Sequence, residues 1–168
     1  MKNITNVGNA ITIRSPFDGL QMPEALACQF FGFFARFEFV LKEEGFLEKG
    51  IPYASADWDR FAKDAATWLK IEEGSDVNAA ISYLNEEPPQ VQTPEFKWER
   101  KALGGKTATE KALHAVRRVR NNLFHGGKHT PHSPPGRDEQ LVRCSLLLLT
   151  ACLEQNDGLR ATFEQSEF

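Results

Sequence analysis

The sequence has few cysteines and no long apolar run. Its three cysteines, Cys28, Cys144 and Cys152, are odd in number and form no Cys-x-x-Cys pair, which argues against a disulfide framework. All three lie in apolar helical stretches, so we expect buried free thiols in a reducing compartment. No stretch approaches the roughly 18 to 20 uninterrupted apolar residues of a membrane span. Residues 1–9 also lack the plan of a secretory signal, and we therefore expect a cytoplasmic protein that does not enter a membrane.

The chain also lacks the overall basic excess that is typical of nucleic-acid-binding proteins. Its formal net charge is −3 and its isoelectric point is about 5.8. The charge is unevenly distributed, however, because residues 97–128 contain nine Lys and Arg against Glu99 and Glu110, a net of +7 that leaves −10 for the remainder. Such a split suits a phosphate-binding face on an otherwise acidic body. The alternative is an ordinary solvated helix face rich in Lys and Arg.

The length and the apolar periodicity predict one helical domain. The chain has 168 residues, 41% of them hydrophobic and 26% charged, which suits a single domain over 1–168 with a sizeable core. Apolar residues recur at steps of three and four in five segments, at about 23–44, 55–72, 75–85, 107–126 and 138–156. These segments predict an all-α, up-and-down bundle of about five helices. The predicted N-cap residues are Ser75 or Asp76, Thr107 or Thr109, and Asp138.

Three segments fall outside the predicted helices. Residues 1–21 read as an extended arm, because a short alternating run is followed by a turn signal. Residues 86–106 contain several prolines and glycines and predict a long connector, with a strand or turn near Val91 to Trp98. The polar tail over 157–168 is expected to fray.

The first two predicted helices are rich in aromatic residues. The first is apolar around most of its girth, so it should be covered on more than one side, either as a central helix or at a dimer interface. Arg36 and Glu38 interrupt its aromatic run, and we favour a solvated strip over a polar pair facing the helix at 107–126. The aromatic stripe of the second helix, which includes Trp58 and Phe61, is accompanied by aspartates. It therefore favours core packing over base stacking.

The most distinctive stretch runs from Arg117 to Lys128 and combines guanidinium, carboxamide and imidazole groups before Gly126-Gly127 ends the helix. At about 100° per residue, Asn121 and His125 lie one turn apart on one face, with Arg118 and His114 further along it. Arg120 lies about 140° round from His125, at the edge of the apolar stripe. The stretch predicts a site that handles polyanions.

Within this stretch, Arg120-Asn121-Asn122-Leu123-Phe124-His125 resembles the signature of the HEPN superfamily, an Arg and a His separated by four to six residues with a polar residue after the Arg. Arg118 also satisfies the spacing, and the sequence leaves open which arginine belongs to the motif. The resemblance implies a small helical bundle, often a dimer. Many families with this motif are metal-independent endoribonucleases of toxin–antitoxin and anti-phage systems.

The resemblance therefore implies a ribonuclease that leaves 2′,3′-cyclic phosphate ends. Its catalytic residues would be Arg120 and His125, supported by Asn121, and Arg117, Arg118, Asn122 and Lys128 would bind RNA. No metal or cofactor is expected. The expected partners are RNA, a second copy of the chain, and an antitoxin or other regulatory protein.

Other interpretations of the same residues stay open. A helical module without catalytic activity could bind RNA, a nucleotide or a protein, and His125 could simply interact with the last carbonyls of its helix. His125, His129 and His132 are closely spaced, but without neighbouring acidic or thiol ligands they make a weak zinc site. Gly104-Gly105-Lys106-Thr107 lacks the earlier glycine and the preceding buried strand of a phosphate-binding P-loop.

Overall fold

The computed structural model describes residues 15, 17–125 and 134–165, except for the side chain of His125. The elements in chain order are α1 (Glu24–Glu43), α2 (Trp58–Trp68), α3 (Asp76–Glu86), β1 (Val91–Gln92), β2 (Trp98–Glu99), α4 (Ala108–His125), α5 (Arg137–Glu154) and α6 (Asp157–Gln165). The predicted all-α bundle is confirmed. Residues 1–14 of the predicted arm lie outside the described residues. Within the described ranges, every helix is too short or too polar to cross a bilayer.

An aromatic cluster joins α1 to α2 at the centre of the core. Phe34 and Phe37 of α1 stack on Trp58, with ring centroids 5.1 and 5.9 Å away, and Phe61 meets Trp58 edge-on at 5.9 Å. All four side chains are almost completely buried. The core interpretation of the second helix is therefore confirmed. Helix α4 packs on α2, α3 and α5, while α1 packs on α5 and α6.

Helix α4 begins with a reciprocal cap. The Thr107 hydroxyl accepts a hydrogen bond from the Glu110 amide at 3.1 Å, and the Glu110 carboxylate accepts from the amides of Lys106 and Thr107, which is the capping-box arrangement. The pKa of Glu110 is lowered, chiefly by the hydrogen bond from the Lys106 amide. This contribution to stability is therefore complete at neutral pH and is lost as the pH falls through the lowered pKa. Thr107 is confirmed as the predicted cap.

The cap depends on Gly105, and we expect Gly105→Ala to lower the free energy of unfolding by about 1 to 3 kcal/mol. Gly105 has φ of 101°, and an added Cβ would lie 2.6 Å from Cβ of Glu110. The matched control is Gly104→Ala, whose Cβ would meet the His114 ring at an ordinary 3.6 Å. Urea unfolding monitored by circular dichroism measures both variants. Equal stability of the two would contradict this account of the cap.

Several local predictions are corrected by the structure. Helix α5 is preceded by Gly136 with φ of 80°, and the predicted cap Asp138 instead lies buried in its first turn. Cys144 and Cys152 are buried as expected, and burial raises the pKa of the Cys152 thiol to about 12, but Cys28 is exposed.

Two other local predictions are confirmed. Ser75 caps α3, since its side chain accepts a hydrogen bond from the Asn78 amide. The strand predicted in the connector is present as the hairpin of β1 and β2, which pairs Val91 with Glu99.

The tail prediction is wrong over Asp157–Gln165, which forms α6. Asn156 caps this helix by accepting from the Leu159 amide at 3.0 Å. Leu159 is buried, and Phe163 contacts Phe33 of α1 with ring centroids 5.0 Å apart. Two apolar residues one turn apart thus attach a mostly polar segment to the bundle.

The two polar residues of α1 do not form the favoured solvated strip. The guanidinium of Arg36 lies 5.0 Å from the ring centroid of Phe163. Glu38 is 28% exposed, accepts a hydrogen bond from Nε1 of Trp58 at 2.9 Å, and lies 3.7 Å from Nη2 of Arg120 on α4. Glu38 therefore matches the less favoured alternative, a polar residue that faces the motif helix.

Candidate functional site

Helix α4 divides the predicted site residues between two environments. Its apolar stripe, which includes Ala112, Val116 and Val119, is buried as the periodicity predicted. On one side of this stripe the helix faces α1, and Arg120 lies there. On the other side it faces the connector, where it meets Gln92 and Gly104 across an open cleft.

The Arg120 guanidinium is held between charged, polar and aromatic groups. Its Nη1 donates to Oδ1 of Asn121 at 3.0 Å, and its Nη2 lies 3.7 Å from the Glu38 carboxylate. Its carbon centre is 4.8 Å from the ring centroid of Phe124 and 5.5 Å from that of Phe34, within the range of cation–π attraction. With 28% of its side chain exposed, Arg120 is a positioned cation that solvent reaches from one side.

Arg118 attaches the connector to α4. Its Nη1 donates to the carbonyls of Pro89 at 3.1 Å and Lys101 at 2.7 Å, and its Nη2 donates to that of Ala102 at 3.0 Å. Asn122 adds a bond of 2.7 Å to the Gln90 carbonyl. Burial lowers the pKa of Arg118, but a guanidinium stays protonated at neutral pH. Arg118 therefore keeps its charge while most of its hydrogen-bonding capacity is committed to the backbone.

The cleft between α4 and the connector has a volume of about 450 Å³. Its α4 wall is polar and its opposite wall is formed by β1 and Gly104. Its α4 lining consists of His114, Arg117, Arg118, Asn121 and Asn122. Among the described residues, Arg117 has no hydrogen-bond or ion-pair partner. The cleft thus combines the Arg117 guanidinium with the carboxamides of Asn121 and Gln92.

His114 brings an imidazole into this cleft. Its Nδ1 lies 3.6 Å from Oδ1 of Asp59 on α2, and 18% of its side chain is exposed. The Asp59 carboxylate lies on the Nδ1 side of the ring, so Nε2 is on the opposite edge. The opposite ring edge faces Gly104, where an added Cβ would lie 3.6 Å from Nε2.

The predicted site residues are therefore only partly brought together. The cleft is lined by Arg117, Arg118, Asn121 and Asn122. Arg120 lies on the side of α4 that faces α1 and is connected to the cleft only by its hydrogen bond to Asn121 among the described contacts. His125 is the last residue of α4, and its backbone lies one turn beyond that of Asn121. Lys128, which was also predicted to bind RNA, lies outside the described residues.

The three histidines of the zinc hypothesis have side chains that lie outside the described part of the structure. His129 and His132 lie outside the described ranges, as does the imidazole of His125. Within the described ranges, no group of three or more His, Cys, Asp and Glu side chains is placed to hold a metal ion.

Sequence reasoning did not assign Glu38, Asp59, His114 or Gly104 to the site. Glu38 had a visible signal, because a carboxylate interrupts an aromatic run in α1. Helical spacing did place His114 on the same face as Asn121, but no role followed from that position. Asp59 and Gly104 belong to segments distant in the sequence, so no local pattern connected them to α4.

The fold and this site define the chain as an all-α helical bundle with a polar cleft beside its fourth helix. Comparisons with protein-family models, curated proteins and solved structures found no match to this chain.

Proposed function

We propose that this chain is a metal-independent endoribonuclease of the HEPN type, with Arg120 and His125 as its catalytic pair and Asn121 in support. The observation that carries the proposal is the environment of Arg120. Its guanidinium is oriented by Asn121 and Glu38 and covered by Phe124, and it is one and a half turns before His125 on α4. A positioned cation and a histidine at the end of one helix supply the two kinds of group that RNA cleavage requires.

The reaction assigns a task to each group. Cleavage requires removal of the 2′-hydroxyl proton, stabilisation of charge on the pentavalent phosphorus, and a proton for the leaving 5′-oxygen. An imidazole suits either proton transfer because its ordinary pKa is about 6.5. A guanidinium suits charge stabilisation, since its planar donors match two phosphate oxygens. Arg120 uses one hydrogen bond on Asn121, so donors remain for a phosphate.

Arg120 is the better candidate of the two arginines that satisfy the motif spacing. Arg118 donates three hydrogen bonds to carbonyl groups of the connector, and releasing it would leave those carbonyls without their donor. The role proposed for Arg118 is to add positive potential to the cleft, while Arg117 contacts the RNA backbone directly. Lys128 and Asn122 complete the proposed RNA-binding set.

The proposal includes a homodimer, in which a second copy supplies the second proton-transfer group. Its support is the uncovered side of α1, where Cys28, Gly32 and Ala35 are exposed. Phe124 borders this side, is 52% exposed and contacts Phe31 with ring centroids 4.2 Å apart. Burial of this strip would bring two copies of α4 close together. Sedimentation equilibrium measures the association, and a fully active monomer would remove this part of the proposal.

The proposal is tested by incubating the purified protein with end-labelled structured RNA in excess EDTA. We expect scission that leaves 2′,3′-cyclic phosphate ends, and we expect it to be lost in His125→Ala. The matched control is His132→Ala, which removes an imidazole outside the motif and should retain cleavage. A wild-type protein that cleaves no RNA, or a His125→Ala variant that cleaves as well as wild type, would contradict the proposal.

A second candidate function is a binding module without catalytic activity, for RNA, a nucleotide, an antitoxin or another regulatory protein. It is favoured by the ion pair between Glu38 and Arg120, since a neutralised guanidinium stabilises a phosphorane less. Binding of RNA that weakens steeply with salt, without any scission, would support this candidate.

A further inference from the structure

The cleft contains an imidazole that the proposed catalytic pair does not use. His114 precedes His125 by eleven residues on α4, which is about 16 Å along the helix axis. This separation is too large for both residues to contact the same phosphorus atom. The function of His114 must therefore differ from proton transfer at the proposed cleavage centre.

The surroundings of His114 place Nε2 at the edge of the cleft. Asp59 lies 3.6 Å from Nδ1, on the opposite edge of the ring. The wall opposite Nε2 is Gly104, which has no side chain to cover the ring, and a Cβ there would touch Nε2 at 3.6 Å. A half-buried imidazole at the edge of a cleft can form a hydrogen bond with a hydroxyl group through Nε2.

Arg117 supplies the complementary charge one turn further along α4. It lines the same cleft, is half-buried, and lacks a hydrogen-bond or ion-pair partner within the described ranges. The nearby charge of Arg118 adds to the positive potential. A guanidinium next to an imidazole matches the phosphate and the ribose hydroxyl of one nucleotide.

We propose that this cleft binds one ribonucleotide, with its phosphate on Arg117 and its ribose 2′-hydroxyl hydrogen-bonded to Nε2 of His114. The carboxamide of Gln92 lines the same space and can form hydrogen bonds with the base. The volume of about 450 Å³ lies in the range of small-ligand sites. The proposal rests on the proposed RNA partner and adds a subsite whose Arg117 and His114 lie about 12 and 16 Å before His125 along α4. This subsite holds a nucleotide other than the one that is cleaved.

A comparison of RNA with DNA distinguishes recognition of the 2′-hydroxyl from non-specific attraction of the phosphates, because DNA lacks this hydroxyl group. Binding is measured by fluorescence anisotropy with a labelled single-stranded RNA and the DNA of the same sequence, in the His125→Ala background. We expect the parent to prefer RNA. His114→Phe should lower RNA affinity about tenfold, or about 1.4 kcal/mol, and leave DNA affinity unchanged, because only the hydroxyl contact is lost. Gly104→Leu, whose side chain would cover Nε2, should lower RNA affinity by at least the same factor and reduce the preference for RNA.

The remaining variants separate charge from hydroxyl recognition. Arg117→Ala should weaken RNA and DNA by the same factor, and the control Arg143→Ala, which removes a cation on α5 that pairs with Glu139, should leave both affinities within about twofold. Competition by 5′-AMP distinguishes a free nucleotide from an RNA strand: displacement supports a free nucleotide as an occupant, and no displacement supports the strand alone. Thermal melting verifies that each variant is folded.

Equal affinity for RNA and DNA in the parent, or an RNA preference that survives in both folded variants, His114→Phe and Gly104→Leu, would overturn this subsite. That result would leave the ribonuclease proposal intact if wild type still cleaves RNA and His125→Ala does not. Conversely, a protein that never cleaves RNA but shows the predicted His114-dependent preference retains the subsite and loses the catalytic proposal.

Discussion

Replacing Arg120 by alanine is expected to lower the rate of RNA cleavage about 10²- to 10³-fold, the effect of removing one well-placed donor to a developing negative charge. The guanidinium is already oriented before substrate arrives, by Asn121 at 3.0 Å, Glu38 at 3.7 Å and the Phe124 ring at 4.8 Å. Preorganisation of this kind avoids reorganisation during the reaction. Single-turnover cleavage with excess enzyme measures the chemical step.

The comparison variant is Arg118→Ala, for which we expect a different outcome. Loss of three hydrogen bonds to connector carbonyls should lower the free energy of unfolding by about 1 to 3 kcal/mol, with a smaller effect on the rate of the folded protein. Arg120→Lys should restore only part of the rate, because an ammonium lacks the planar fork. A rate lost with Arg118→Ala and retained in Arg120→Ala would identify Arg118 as the motif arginine instead.

Replacing Trp58 by alanine is expected to lower the free energy of unfolding by about 3 to 5 kcal/mol. Trp58 is 1% exposed and touches Phe34, Phe37 and Phe61, so its removal leaves a cavity where α1 meets α2. Equilibrium urea unfolding measures the change. The control is Tyr53→Ala, an aromatic residue that is 69% exposed, for which we expect a change within about 0.5 kcal/mol.

Trp58→Phe then separates packing from hydrogen bonding. Phenylalanine keeps much of the apolar contact but removes the Nε1–H that donates to Glu38 at 2.9 Å. Glu38 is also the ion-pair partner of Arg120, so the variant should lower stability by about 2 kcal/mol and loosen the Arg120 guanidinium. If Trp58→Ala were as mild as Tyr53→Ala, the aromatic cluster would not be the centre of the core.

Local patterns were sufficient for most of the fold. The buried stripe of α4, the cap at Thr107 and the core role of Trp58 were all predicted, because helical periodicity and capping act within one or two turns. Segments with little apolar content were predicted less well. The helix at Asp157–Gln165 has only Leu159 and Phe163 to attach it, and its stability depends on α1, which is distant in the sequence.

In the candidate site, too, local patterns predicted some features, and others depend on segments that are distant in the sequence. The proposed catalytic residues lie within six consecutive positions, so the motif could be recognised without any structure. The arrangement of Glu38, Asp59 and Gly104 around α4 could not, since these residues come from α1, α2 and the connector. Cys28 was wrongly expected to be buried for a related reason, because an apolar stretch does not reveal which of its faces has a neighbour.

The amino-acid sequence by itself determined that the chain is helical, which stripe of each helix is apolar, and where the basic charge is concentrated, because these properties depend on residues close together in the chain. Only the tertiary structure decided that Arg118 is committed to the connector, that Arg120 pairs with Glu38, and that His114 faces a cleft. Those outcomes depend on which helices pack together, and long-range packing selects a partner for each polar group that no local spacing specifies.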